Sequence, residues 1–191
     1  MKKIIDWICV FFSTTGFSGI LVARLGNGGG GGTAGSILAL FAQYLMYYLE
    51  VPVIWQMVAI VASFLLGLAV IGRAEKYLVA RGGGRKWNSV SRKSYEVDHD
   101  LNQTNIDEVH GQFIAGLPVF LFLNHLKEPQ VQALLAFAFF FFRWFDTQKP
   151  LGIRKLEKKF PGAFGVMIDD TVAGVLAGLA LGIVLLTVLF M

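Results

Sequence analysis

The sequence predicts an all-α fold: a polytopic membrane helix bundle of about five spans, with a re-entrant or interfacial N-terminal helix. Three observations carry that expectation. Only 16% of the 191 residues are charged and 55% are hydrophobic, whereas an ordinary soluble domain has about 25% charged residues. Mean hydropathy is +0.60. The apolar residues also gather in blocks, as helices that cross a bilayer require. The blocks are short for spans, so a soluble all-α protein with a greasy core is the competing reading. Residues 1–191 are expected to form one integral membrane domain.

Taken in order, the elements begin with Ile4–Val22, an apolar run interrupted by Ser13, Thr14, Thr15, Gly16, Ser18 and Gly19. That interruption fits a re-entrant or interfacial helix. Met1-Lys2-Lys3 loosely resembles the start of a signal peptide. No clear small-residue cleavage site follows, so the segment is expected to be retained. Cys9 is the lone cysteine, which leaves no internal disulfide or Cys-based metal site and reads as packing. Five apolar blocks come next: Ala34–Leu49, Val53–Gly72, Gly111–Leu126, Val131–Phe145 and Thr171–Met191. As helices they reach roughly 22–32 Å. The links Glu50-Val51-Pro52 and Lys127-Glu128-Pro129-Gln130 are short and hold proline, so each joins a helical hairpin.

The basic residues set the expected topology. Of 17 Lys and Arg, only Lys127 lies in a short hairpin link. The rest fall in the N-terminus, Arg24–Gly32, Arg73–Lys93 and Arg143–Lys159. Five spans put all four of those regions on one side, which the positive-inside rule makes cytoplasmic. A sixth crossing at Ile4–Val22 would strand Lys2 and Lys3 opposite the other basic loops. The same topology brings Asp107-Glu108, Asp146 and Asp169-Asp170 to the cytoplasmic ends of three spans, with the glycine run Gly28–Gly32 beside them.

Each motif has a bland reading and a chemical one. Asp107-Glu108 and Asp169-Asp170 are each suited to a helix N-terminus, where the dipole favours acids. Their recurrence on separate helices is harder to explain, because clustered carboxylates repel unless a cation joins them. Oxygen-only ligands select a hard ion, Mg²⁺ before Ca²⁺. Arg143, Asp146 and Lys149 fall at i, i+3 and i+6, roughly one helical face, and Pro150 biases Lys149 toward the helix exit. A carboxylate beside two cations suits phosphoryl chemistry as well as it suits a salt-bridged helix end. The glycine run with Thr33 and Ser36 opens an apolar helix and offers caps or phosphate contacts; without a lysine before Thr33 it is no Walker loop. His99, His110 and His125 read as structural, and the run Phe137–Phe142 as packing or lipid-facing.

Four motifs then occur in the order found in one family: Gly32-Thr33-Ala34-Gly35-Ser36; Asp107-Glu108 with Gly111 and Ile114; Phe142-Arg143-Trp144-Phe145-Asp146 with Lys149-Pro150; and Gly165-Val166-Met167-Ile168-Asp169-Asp170 with Ala173-Gly174. The chain resembles the phosphatidylglycerophosphatase A family over about residues 10–190. The resemblance implies a bacterial inner-membrane, multi-pass phosphatase with its site facing the cytoplasm. It also implies Mg²⁺-dependent hydrolysis of phosphatidylglycerophosphate to phosphatidylglycerol and phosphate. Carried onto matching positions, the catalytic residues are Asp107, Glu108, Asp146, Lys149, Asp169 and Asp170. The five acids are the expected metal ligands, and Thr33, Ser36, Arg143 and Lys149 would contact substrate. One departure stands out: Gly28–Gly31 occupy a place where the family tends to carry a proline-containing segment. The expected partners are the phospholipid substrate and the membrane, with no nucleic acid.

Other classes remain on the table at this stage. An ion transporter would place acids at mid-span depth, and here they sit at block edges. A head-group phosphotransferase would gather its aspartates in one helical motif, which is absent. A membrane scaffold would leave the convergence of carboxylates unexplained.

Overall fold

The computed structural model describes residues 2–26, 30–82, 85–88, 93–96, 101–150, 159–160 and 162–190. The expectations attached to Gly28, His99, Arg154, Lys155 and Lys158 lie outside the described residues. The elements are α1 (Lys2–Ser13), α2 (Ser18–Leu25), α3 (Gly31–Tyr48), α4 (Val53–Val79), β1 (Arg85–Asn88), β2 (Lys93–Glu96), α5 (Ile106–Leu121), α6 (Glu128–Gln148) and α7 (Ala163–Phe190). Each of the five apolar blocks falls mainly on a helix, though Leu123–His125 of the third is a 3₁₀ turn. The polar loop after α4 adds a short antiparallel hairpin, Arg85 opposite Glu96, to the otherwise helical chain.

Several boundaries differ from the sequence expectation: the third block is α5 from Ile106 to Leu121, and the fourth is α6 from Glu128 to Gln148. Helix α4 runs on to Val79, past Gly72, and α7 starts at Ala163, eight residues before Thr171. A helix does not end where its composition turns polar; it continues wherever its backbone bonds are satisfied and one face packs. Asp169 and Asp170 therefore lie in the second turn of α7 and not at its N-terminus.

Among the described residues, α4 and α7 are long and apolar enough to cross a membrane. The pair α1 and α2, bent by 72° at the break between them, would be a third as one broken span. The break is built from residues that adopt positive φ: Thr15 at 43°, Gly16 at 67° and Phe17 at 66°. Hydroxyls brace the break, and Thr14 Oγ1 accepts from the Phe17 N–H at 3.2 Å. Thr14 Oγ1 donates to Val10 O at 2.7 Å and Ser18 Oγ to Thr14 O at 3.1 Å, as an apolar surrounding requires of any backbone break. Helix α1 is tied to α4 by Asp6 and Arg73 at 2.6 Å and by Trp7 against Tyr77.

Helix α5 is the axle of the bundle, packing against α3, α4, α6 and α7. Its residues Asp107, Gly111, Ala115 and Val119 recur at i+4 and are buried. On α7 the matching stripe is Asp170, Ala173, Gly174, Ala177, Gly178 and Leu181. These stripes and the α6 residues Val131, Leu134, Leu135, Ala138 and Phe142 form the main core. Glycine lets α5 and α7 cross at backbone distance: a β-carbon at Gly174 would stand 2.5 Å from Gly111 O. Large apolar side chains such as Phe41, Trp55, Val61, Phe140, Leu179 and Ile183 point outward, a surface suited to lipid and costly in water. The phenylalanine run is divided accordingly, with Phe142 in the core and Phe137 and Phe140 exposed.

A polar belt crosses the middle of the bundle. Gln43 and Gln56, both fully buried, donate to the same carbonyl, Phe113 O, at 3.3 and 2.8 Å. Pro118 lies further along α5; it has no N–H to give to Ile114 O, the carbonyl next to Phe113 O.

Candidate functional site

Four elements meet at one end of the bundle. Helix α5 begins with Asp107 and Glu108 in its first turn. The second turn of α7 brings Asp169 and Asp170. The last turns of α6 carry Arg143 and Asp146, with Lys149 as the residue that ends the helix. The first two turns of α3 supply Gly32, Thr33 and Ser36.

Asp107, Glu108 and Asp170 form the centre, each offering a carboxylate oxygen within 4.8 Å of the others. Asp107 Oδ1, Glu108 Oε2 and Asp170 Oδ2 are buried without a hydrogen-bond partner. Three mutually repelling carboxylates with inward, unsatisfied oxygens make a poor resting arrangement on their own. They fit a hard divalent cation well, because all three ligands are oxygen and, among the described residues, no histidine or cysteine shares the cluster.

The two other acids are held by cations. Asp146 Oδ2 accepts from Arg143 NH1 at 2.7 Å, the i,i+3 pair expected on one helical face. Lys149 departs from that face. Its backbone is left-handed, with φ at 46°, which ends α6 and turns the amine across to an ion pair with Asp169 of α7. Asp169 adjoins Asp170 in the chain, and Arg143, which holds Asp146, stands with Glu108 against Gly32, so both pairs lie beside the centre. The structure thus gathers three of the five expected ligands into one group and sets Asp146 and Asp169 beside it, each holding a basic side chain.

The glycine-rich turn has a packing role that its composition alone does not suggest. Gly30, left-handed at φ 85°, precedes α3, and no side chain caps the helix. Ser36 Oγ donates back to Gly32 O at 3.1 Å and accepts from Arg143 NH1 at 3.4 Å, so it steadies Arg143; Thr33 is half-buried in the same turn. The bare face of α3 admits its neighbours. A β-carbon at Gly32 would collide with Glu108 Oε1 and stand 3.2 Å from Arg143 NH1, and one at Gly35 would stand 2.5 Å from Asn105 O.

His110 is structural, as expected, and its neighbours are now defined. Nδ1 lies 3.0 Å from both Ser63 Oγ and Ile60 O of α4, and Nε2 lies 3.0 Å from Thr171 Oγ1 of α7. It links α4 and α7 through α5, one turn from the centre. His125 sits at the opposite end, in the 3₁₀ turn Leu123–His125. Gly32, Gly111 and Gly174 belong to the motifs read in the sequence, though without a stated role; Asn105, two residues ahead of Asp107, belongs to none of them.

The profile of the family described as phosphatidylglycerophosphatase A matches residues 86–185, a stretch that holds every acid of the site. A Bacteroides thetaiotaomicron protein named, provisionally, a phosphatidylinositol-3-phosphatase is 32% identical over 146 residues, covering 75% of this chain and 76% of its own length. A Haemophilus influenzae protein named phosphatidylglycerophosphatase A is 42% identical over 70 residues, covering 36% of this chain and 42% of the relative. No solved structure matches the chain.

Proposed function

The chain belongs to the phosphatidylglycerophosphatase A family, and on that premise we propose that it is a Mg²⁺-dependent phosphatase converting phosphatidylglycerophosphate to phosphatidylglycerol and phosphate. Its enzyme class is phosphoric monoester hydrolase. One observation carries the proposal: Asp107, Glu108 and Asp170 converge within 4.8 Å at the end of the bundle where Arg143 and Lys149 also stand.

Asp107, Glu108 and Asp170 would hold the magnesium, whose bound charge polarises the phosphomonoester. The chain's own groups do the rest. Arg143, oriented by Asp146 and Ser36, and Lys149, oriented by Asp169, neutralise charge that grows on the phosphate oxygens. Cations already steered by buried partners lose little freedom when substrate arrives, which favours the transition state over loose binding. The first turn of α3, with Thr33, lines the phosphate side of the centre. One acid of the cluster accepts the proton of the attacking water.

In this reading α3 to α7 are five spans and α1–α2 is re-entrant. The site faces the cytoplasm from the bacterial inner membrane, and the acyl chains of the substrate stay in the bilayer. The span-length apolar helices α4 and α7 and outward apolar side chains such as Phe41 of α3 and Phe140 of α6 support that arrangement. So does Lys127, the lone basic residue at the far hairpin.

The Bacteroides relative favours a second substrate, phosphatidylinositol 3-phosphate. Phosphate release from each lipid in mixed micelles separates the two. We expect phosphatidylglycerophosphate to be preferred by at least about tenfold in kcat/KM. The reverse preference would favour the inositol lipid, and release from neither would overturn the phosphatase assignment.

A further inference from the structure

Asn105 stands immediately ahead of α5, two residues before Asp107, yet its side chain does not cap that helix. It is 0% exposed. Its Nδ2 donates to Ser18 Oγ of α2 at 3.1 Å and to Gly31 O of α3 at 3.2 Å, and its backbone N–H donates to Ser13 O of α1 at 2.9 Å. One side chain therefore ties the bent α1–α2 pair and the first turn of α3 to the helix that starts the carboxylate centre. Its Oδ1 has no hydrogen-bond partner, so the donor end is what the residue contributes.

The tie reaches the centre through the next residue of α3. Gly32 follows Gly31 and lies directly against the Glu108 carboxylate and Arg143. Holding Gly31 O in place holds Gly32 in place, and Gly32 is the wall that Glu108 rests on. We propose that Asn105 is a positioning residue for the phosphatase reaction, keeping the first turn of α3 seated against Glu108 through the two bonds that its Nδ2 donates. This rests on reading the carboxylate cluster as the catalytic centre.

The test uses the full chain in detergent micelles, as the natural protein, Asn105→Ala, the isosteric Asn105→Asp, the milder Ser18→Ala, Gly32→Ala, and Asn105→Ala combined with Gly32→Ala. Amide hydrogen exchange reads the tie without any catalysis. Exchange across residues 34–38 should quicken by at least about tenfold in Asn105→Ala, with α6 and α7 unchanged. Asn105→Asp should be no better, since it keeps the shape and loses the donors. Ser18→Ala, which removes one of the two partners, should fall between. With phosphatidylglycerophosphate, kcat should drop about ten- to a hundredfold at nearly constant KM. Both changes act on one wall, so the double variant should be no slower than Gly32→Ala alone. Unchanged exchange at 34–38, equal quickening throughout the bundle, or losses that multiply in the double variant would each overturn the proposal. A natural chain that releases no phosphate would sink the catalytic reading instead, and the exchange data would still decide whether Asn105 holds α3.

Discussion

Replacing Gly174 by alanine perturbs the α5–α7 crossing without touching any acid. The new β-carbon would stand 2.5 Å from Gly111 O and 3.1 Å from Gly111 Cα. Carbon–oxygen contacts relax to about 3.3 Å, so the helices must part by about 0.8 Å. Asp170 is one turn from Gly174 on the same stripe, and moving α7 carries it away from Asp107 and Glu108 by a similar distance. Metal ligands tolerate displacements of only about 0.2 Å, and a misplacement of about 1 Å costs roughly a hundredfold in rate. Gly174→Ala should therefore lower kcat about a hundredfold and raise the Mg²⁺ concentration needed for half-maximal activity. Overpacking should cost about 1–3 kcal/mol of stability. Gly178→Ala is the control, because its β-carbon would meet nothing closer than Ile114 O at 3.5 Å, an ordinary contact. The assay is phosphate release at saturating lipid across a Mg²⁺ titration, with the unfolding midpoint measured in the same detergent. A Gly174→Ala chain with natural rate and Mg²⁺ dependence would refute the reasoning, as would a Gly178→Ala chain equally damaged.

Three further outcomes follow from other parts of the molecule. Lys149→Ala and Lys149→Gly should each lose at least about tenfold in kcat. Thermal unfolding should show the glycine variant more stable by about 1 kcal/mol, because φ at Lys149 is 46° and only glycine holds that conformation without strain. Gln56→Leu should change stability by less than about 1 kcal/mol, since it removes one bond to Phe113 O together with an unpartnered oxygen; Gln56→Glu should destabilise by several times as much in denaturant titrations. After Cys9→Ala, single cysteines at positions 2 and 127 should label from opposite sides of oriented membranes, and labelling from one side would eliminate five spans.

The helices were legible because hydrophobic blocks are local and because Pro52 and Pro129 mark their hairpins. Their ends were less so. Two adjacent aspartates look like a helix start, yet Asp169 and Asp170 belong inside α7, where Lys149 pairs with Asp169 and Asp170 faces the carboxylates of α5. The convergence of acids could be anticipated from charge placement and topology. The pairing of Arg143 with Asp146 could be anticipated too, since i,i+3 spacing is local. The link from Lys149 to Asp169 could not, because it depends on a left-handed residue at the end of α6 and on which helix lies across from it. The same holds for Asn105 and the glycines of α3: a glycine run read alone suggests a phosphate loop or a linker. Only the crossing of α3 over residues 102–108 shows that those positions lack side chains to admit Glu108 and Asn105.

The central claim is that Asp107, Glu108 and Asp170 form one magnesium-dependent hydrolytic centre. Phosphate release from phosphatidylglycerophosphate, followed across a Mg²⁺ titration for the natural chain and for Asp170→Asn, tests it most directly. The account predicts release by the natural chain that requires Mg²⁺. It also predicts a loss of more than about a hundredfold in Asp170→Asn, with helical content unchanged by circular dichroism. Release that persists without divalent cation, or an Asp170→Asn chain as active as the natural one, would contradict it.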